Sequence, residues 1–211
     1  MPGFGAIAQK KMLARSIGKI APAFTERTVR AKAALAMVAL GAVAASLAIA
    51  PGPQGFLGAS LGLLMLAVAV VDARRFIIPN ELVLAALALG LVHATIDETD
   101  GILRALAAAT LRGAVLGLLF LSLRELYARW RGREGLGLGD VKLAAAAGVW
   151  LEWPAMPIAI EIAALGALAL YVLGHALGRR RIHAATRLPF GLFLAPAIWL
   201  AWLLQLWLYA F

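Results

Sequence analysis

The chain has 211 residues, 63% hydrophobic and 15% charged, with a mean hydropathy of +0.89. Soluble domains run at about 45–50% apolar and about 25% charged, so this composition excludes an ordinary soluble domain and points to an all-α, polytopic membrane helix bundle. The net charge of +9 falls in short runs between apolar spans, which marks membrane topology rather than nucleic-acid binding, and the absence of cysteine excludes a disulfide framework, a thiol nucleophile and thiolate-bound zinc.

In chain order, residues 1–32 carry seven Lys/Arg and one acid, Glu26. They read as a basic cytoplasmic segment, either an amphipathic stretch on anionic lipid or a disordered tail, ahead of a membrane-embedded domain over 33–211. A cleaved signal peptide fits poorly, because the basic region is too long and Pro51 would follow the cut. Span one covers 33–50. Pro51-Gly52-Pro53-Gln54-Gly55 is a turn, and span two covers 56–71. Asp72-Ala73-Arg74-Arg75 ends that apolar run, and Pro79 suits the first turn of span three, 80–96. An acidic loop, 97–100, leads to span four, 103–123. After the Arg-rich 124–134 and a glycine stretch comes span five, 141–153. It is short for the ~20 residues a crossing needs, so it thins the bilayer, tilts little or starts from a residue sunk in the protein. Span six ends near Leu177, a basic loop reaches Arg187, and span seven covers 188–209.

The charge distribution tests this count. With the N-terminus in the cytoplasm, segments 1–32, 72–76, 124–142 and 178–187 hold eighteen of the twenty Lys/Arg, leaving Arg104 and Arg112 as exceptions. Positive residues therefore stay inside, which supports seven spans, or six if span five is re-entrant.

This topology puts Asp72 and Asp140 at span boundaries on one side. A carboxylate at that depth is costly and calls for a reason. Two facing carboxyls share a proton, because both cannot cheaply ionise; the ionised one accepts a proton from water and the protonated one polarises a scissile carbonyl. Gly137 and Gly139 would let an extended substrate backbone come close to Asp140. Arg74, Arg75 and Lys142 are placed to tune the pair or steer a substrate. Alone, each Asp also reads as a helix cap or the partner of a nearby Arg.

The local sequences carry a resemblance. Asp72 is followed by Ile78-Pro79-Asn80, Gly137-Leu138-Gly139-Asp140 is followed by Val141-Lys142, and Pro189-Phe190-Gly191 opens the last span. In these motifs, over roughly residues 55–205, the chain resembles the type IV prepilin peptidases, bacterial Gly-x-Gly-Asp intramembrane aspartic proteases. The resemblance implies Asp72 and Asp140 as the catalytic pair and a substrate-facing role for Pro79, Gly137, Gly139 and Lys142. It implies no cofactor and no metal. It also implies prepilin or pseudopilin substrates cut on the cytoplasmic side of the inner membrane, after a glycine and before an apolar helix. Larger members also methylate the new N-terminus and carry a cytoplasmic loop, often with Cys-x-x-Cys pairs, between their first two spans. Here five turn residues join those spans and no cysteine is present, so the chain looks like a peptidase-only form such as those of tight-adherence pilus systems. Leu192 stands where the family usually has Pro.

Two other readings compete. Gly58-Ala59-Ser60-Leu61-Gly62 fits the nucleophile-elbow pattern, so a serine protease would use Ser60 with His93 or His175. The pattern lies inside a predicted helix, however, where Gly58 and Gly62 also make a helix-packing surface. A small transporter would use Glu81 and Glu161 as intramembrane carboxylates, although Glu81 also suits the first turn of its helix. His93, His175 and His183 lack metal-ligand spacing, and the six tryptophans read as interface anchors.

Overall fold

The computed structural model describes residues 28–96, 101–132, 135–177 and 189–209. Seven helices form among them: α1 Thr28–Ile49, α2 Pro53–Arg75, α3 Asn80–Ala94, α4 Ile102–Arg131, α5 Leu138–Trp150, α6 Ala155–Ala176 and α7 Gly191–Tyr209. No strand occurs among the described residues. Five of the helices (α1, α2, α4, α6 and α7) are long and apolar enough to cross a membrane. This is a multi-pass helical membrane protein. Residues 1–27, the acidic loop 97–100 and the basic loop 178–188, with His183, lie outside the described residues.

The chain divides into two units, 1–41 and 42–211. In the first, the described residues are helical and mostly exposed. The helix starts at Thr28, ahead of the expected start at residue 33. The second unit holds the core and both aspartates.

Within the second unit the proline signals mark helix starts. Pro53 opens α2, where its missing N–H costs nothing, and Pro79 stands just before α3 in an extended conformation. α2 stops at Phe76, which takes the left-handed conformation at φ 55° and donates its N–H to the Asp72 carbonyl at 2.9 Å.

α5 has 13 residues, about 20 Å at 1.5 Å per residue. It is short because protein rather than lipid surrounds it. Leu143, Ala144 and every residue from Ala146 to Trp150 are buried, and α3, α4 and α7 pack around the helix. Of the three explanations for a short span five, the sunken start is the one the structure favours. Small residues make this packing close. A Cβ on Gly113 would lie 2.7 Å from Val149, and one on Gly117 would lie 3.0 Å from the Ala145 methyl. With almost no hydrophobic driving force between helices in lipid, such close backbone approach is a main source of association.

The tryptophans depart from expectation. Trp150 and Trp202 are core residues, 1% and 0% exposed, whereas Trp130 is 84% exposed. A buried indole needs an acceptor for its N–H, and each finds one. Trp150 donates to the Ala86 carbonyl at 2.8 Å and Trp202 to His93 Nε2 at 3.2 Å. Trp199 donates to Ser46 Oγ at 3.1 Å. Of the two arginines that broke the charge pattern, Arg112 pairs with Glu152 at 3.2 Å.

Candidate active site

Asp72 lies in the last turn of α2 and Asp140 in the first turn of α5. They are 5% and 9% exposed and are the only buried charged side chains among the described residues. Burying a carboxylate is expensive unless donors replace the lost water. Asp72 sits at the negative end of its own helix dipole, so α2 does not supply that compensation. It comes from α7. The Leu192 N–H donates to Asp72 Oδ2 at 2.9 Å. The start of α7 is the positive end of a dipole, and the Leu192 N–H is shared between Asp72 and the Pro189 carbonyl at 3.2 Å. This gives the Pro189-Phe190-Gly191 motif its local function: the turn ends with the Leu192 N–H aimed at Asp72.

Asp140 is held from within its own segment. Its Oδ2 accepts the Gly137 N–H at 3.2 Å, the N3-to-N-cap half of a capping box. The capping role considered for an isolated Asp is therefore real for Asp140. It fixes the carboxylate at the start of α5.

Ile78 joins the three segments. A Cβ on Gly139 would lie 3.0 Å from Ile78 Cβ, and one on Gly191 would lie 2.7 Å from Ile78 Cδ1 and 2.9 Å from Asp72 Oδ2. The glycines let the starts of α5 and α7 close on Ile78. Sequence reasoning quoted Ile78 and Gly191 as motif letters without a role. The usable signal was a glycine at the start of each of two helices, one of them next to Asp140. Gly139 accordingly meets Ile78 rather than an open slot, and Gly137 is extended at φ −74°, ψ 149° with its N–H committed to Asp140.

The other candidates sort clearly. Lys142 Nζ donates to Asn80 Oδ1 at 2.9 Å, tying the Ile78-Pro79-Asn80 turn to the start of α5. Arg74 and Arg75 are exposed at the end of α2. Ser60 donates its hydroxyl to the Phe56 carbonyl at 2.8 Å, one turn back, and His93 Nε2 is taken by Trp202, so no nucleophile–base contact links them. Gly58 faces the Trp202 ring so closely that a Cβ would overlap it, and a Cβ on Gly62 would lie 2.9 Å from Trp199 Nε1. The elbow-like pattern is a packing surface for α7. His175 is exposed near the end of α6. Glu81 and Glu161 are exposed, outside the core a proton relay would use. No cluster of His, Cys, Asp or Glu suited to a metal occurs among the described residues.

Comparison with known proteins agrees with the motifs. Residues 59–173 match the model of the type IV leader peptidase family. The prepilin leader peptidase/N-methyltransferase of Burkholderia pseudomallei is 38% identical over 170 residues, covering 79% of this chain and 53% of that protein. The protein of the same description from Aeromonas hydrophila is 34% identical over 170 residues (78% of this chain, 55% of that one). That from Pseudomonas aeruginosa is 38% identical over 138 residues (65% and 45%). The chain spans about half the length of these relatives. No solved structure matches it.

Proposed function

The chain belongs to the type IV leader peptidase family, and from that premise we propose that it is a membrane endopeptidase that removes the leader from type IV prepilin-like precursors by activating water between Asp72 and Asp140. The observation that carries the reading is the pair itself. Two acids far apart in sequence are buried, each accepts a backbone N–H, and the starts of α5 and α7 that hold them both lie against Ile78.

The chemistry needs no covalent intermediate. The ionised carboxylate takes a proton from water as the oxygen attacks the scissile carbonyl carbon. The protonated carboxyl donates to the carbonyl oxygen as it gains charge. Collapse of the tetrahedral species breaks the C–N bond, with a proton delivered to the leaving nitrogen, and the pair regains its single shared proton. The two roles belong to the pair, not to one named residue. The backbone donors at Gly137 and Leu192 hold the carboxyls in place, so little reorganisation is needed during reaction.

Gly137 and Lys142 are the exposed members of the rim and contact the substrate; Pro79 and Gly139 shape it from behind. The active site faces the cytoplasm of a bacterial inner membrane, a placement supported by the excess of Lys/Arg in segments 1–32 and 124–142. The substrates are prepilins or pseudopilins. Peptide cleavage is the activity assigned; with no cysteine, the chain has no Cys-x-x-Cys pair of the kind larger members carry.

The test is co-expression with a prepilin in cells lacking other leader peptidases, followed by mass measurement of the pilin. Conversion to a species lighter by the leader supports the reading. A precursor that stays intact in membranes containing the folded protein sinks it.

A further inference from the structure

Gln205 is the only amide or charged side chain in α7, and it is buried. An amide carried into an apolar interior is costly unless it is bonded. Its Oε1 accepts the Glu152 N–H at 2.8 Å. Glu152 stands just past the end of α5, and its carboxylate meets Arg112 Nη2 of α4 at 3.2 Å. Polar side chains of two neighbouring helices thus grip one residue at the far end of α5. The backbones of α4 and α5 also touch here, since a Cβ on Gly148 would lie 2.5 Å from the Arg112 carbonyl oxygen.

Both gripped helices begin at the acids. Asp140 lies in the first turn of α5, and Leu192, the donor to Asp72, lies in the first turn of α7. From Asp140 the chain runs along α5 to Trp150 and two residues further to Glu152, about 20 Å in all. From Leu192 to Gln205 along α7 is also about 20 Å. The two helices therefore leave the site side by side, and the Glu152–Gln205 bond joins them at matching height.

Height is a particular problem for α5. A helix that spans the bilayer is held at its depth by the match of its apolar length to about 30 Å of hydrocarbon. α5 is shorter and enclosed by protein, so its depth is set by protein contacts. Ala144 to Ala147 form its middle, and such small side chains make shallow ridges that resist sliding weakly. At the near end the ties are Gly139 against Ile78 and the exposed bond from Lys142 to Asn80. Directional polar bonds at the far end oppose a slide, and a helix passes a slide at one end on to the other.

We propose that Gln205 and Arg112 are positioning residues for the reaction: acting through Glu152, they fix the height of α5, and with it the height of Asp140 relative to the start of α7, where Asp72 is held. This rests on the peptidase reading. Neither residue touches the substrate. The proposal gives a use to an amide in an apolar helix and to an arginine that breaks the charge pattern of the chain.

Two readouts test it. The first is kinetic, on a prepilin in isolated membranes. Gln205→Met keeps the shape and loses the acceptor, and Arg112→Met loses the ion pair. Because misplacing a catalytic group by about 1 Å costs on the order of a hundredfold, each should lower kcat at least about tenfold. KM should stay within twofold of the parent, and Arg112→Lys, which keeps the pair, should recover most of the lost rate. The second readout needs no cleavage. The chain has no cysteine, so Ile78→Cys with Gly139→Cys makes a clean reporter of height. A Cβ on Gly139 would lie 3.0 Å from Ile78 Cβ, close to the roughly 3.8 Å of a disulfide. Disulfide formation in membranes should slow at least fivefold when Gln205→Met or Arg112→Met is added, and recover with Arg112→Lys. A parental kcat in Gln205→Met would overturn the proposal. So would a disulfide rate unchanged by both methionine variants, because the far-end bonds would then not set the height of α5. If Gln205→Met fails to insert, the comparison of Arg112→Met with Arg112→Lys makes the same decision. A parent that cleaves no precursor defeats the peptidase reading, while the disulfide rates still decide whether the far end holds α5 in place.

Discussion

Adding one methyl group at residue 191 tests how the site is assembled. In Gly191→Ala the new carbon would lie 2.7 Å from Ile78 Cδ1 and 2.9 Å from Asp72 Oδ2. Non-bonded carbons prefer about 3.5–4.0 Å, so Ile78 must retreat by roughly 0.8 Å and the carboxylate by roughly half an ångström. Ile78 has little room, because it also abuts Gly139. The carboxylate therefore swings off the Leu192 N–H, which it meets at 2.9 Å. A hydrogen bond to a charged group contributes about 1.5–3 kcal/mol, and misplacing a catalytic group by about 1 Å costs on the order of a hundredfold in rate. We expect Gly191→Ala to insert normally, to lose about 1–3 kcal/mol of stability through overpacking, and to cleave a co-expressed prepilin about a hundredfold more slowly. The assay is the mature-to-precursor ratio over time in isolated membranes, with thermal unfolding in detergent alongside. Gly41→Ala is the control, since nothing lies within 4 Å of its Cβ position. Cleavage by Gly191→Ala within twofold of the parent would refute the claim that the start of α7 positions Asp72.

Gly139→Leu drives a side chain into Ile78, whose Cβ would be 3.0 Å away, and should abolish cleavage while insertion persists; the same prepilin assay decides. Gly58→Ala should lower stability by about 1–3 kcal/mol because Trp202 must move. In contrast, Ser60→Ala should keep both stability and cleavage, since Ser60 Oγ only bonds its own helix; a dead but folded Ser60→Ala would revive the serine reading. Asn80→Ala and Lys142→Ala should be non-additive in unfolding, with a coupling of about 0.5–1.5 kcal/mol from their single hydrogen bond. Strict additivity would mean the bond is not made.

The sequence was most legible where one residue type permits one conformation. Pro79 placed the start of α3, whereas Pro53, read as part of a turn, in fact opens α2; the hydropathy runs placed all seven helices to within a few residues, apart from the first turns of α1 and the last turns of α4, where Thr28 and Arg131 carry the helix into polar sequence. Asp72 and Asp140 stood out in the sequence because a carboxylate beside an apolar span is rare. The partners of those acids did not. The donor to Asp72 is the Leu192 backbone N–H, and backbone N–H groups leave no trace in residue identity. Ile78 was equally hidden, since any apolar letter in a loop between spans looks like another apolar letter. Trp150 and Trp202 were misread as interface anchors because hydropathy near a span end cannot tell lipid from protein as the neighbour. The short α5 was noticed as an anomaly, but its explanation needed Gly113 and Gly117 to be seen against Val149 and Ala145.

The most direct measurement is cleavage of a co-expressed prepilin by Asp72→Asn and by Asp140→Asn, each with its membrane insertion and thermal unfolding recorded. Asparagine keeps the shape and can still accept the Leu192 or Gly137 N–H, but it can neither ionise nor share a proton. The paired-carboxyl account predicts that both variants insert, fold and fail to cut. Cleavage at the parent rate by either folded variant would contradict it.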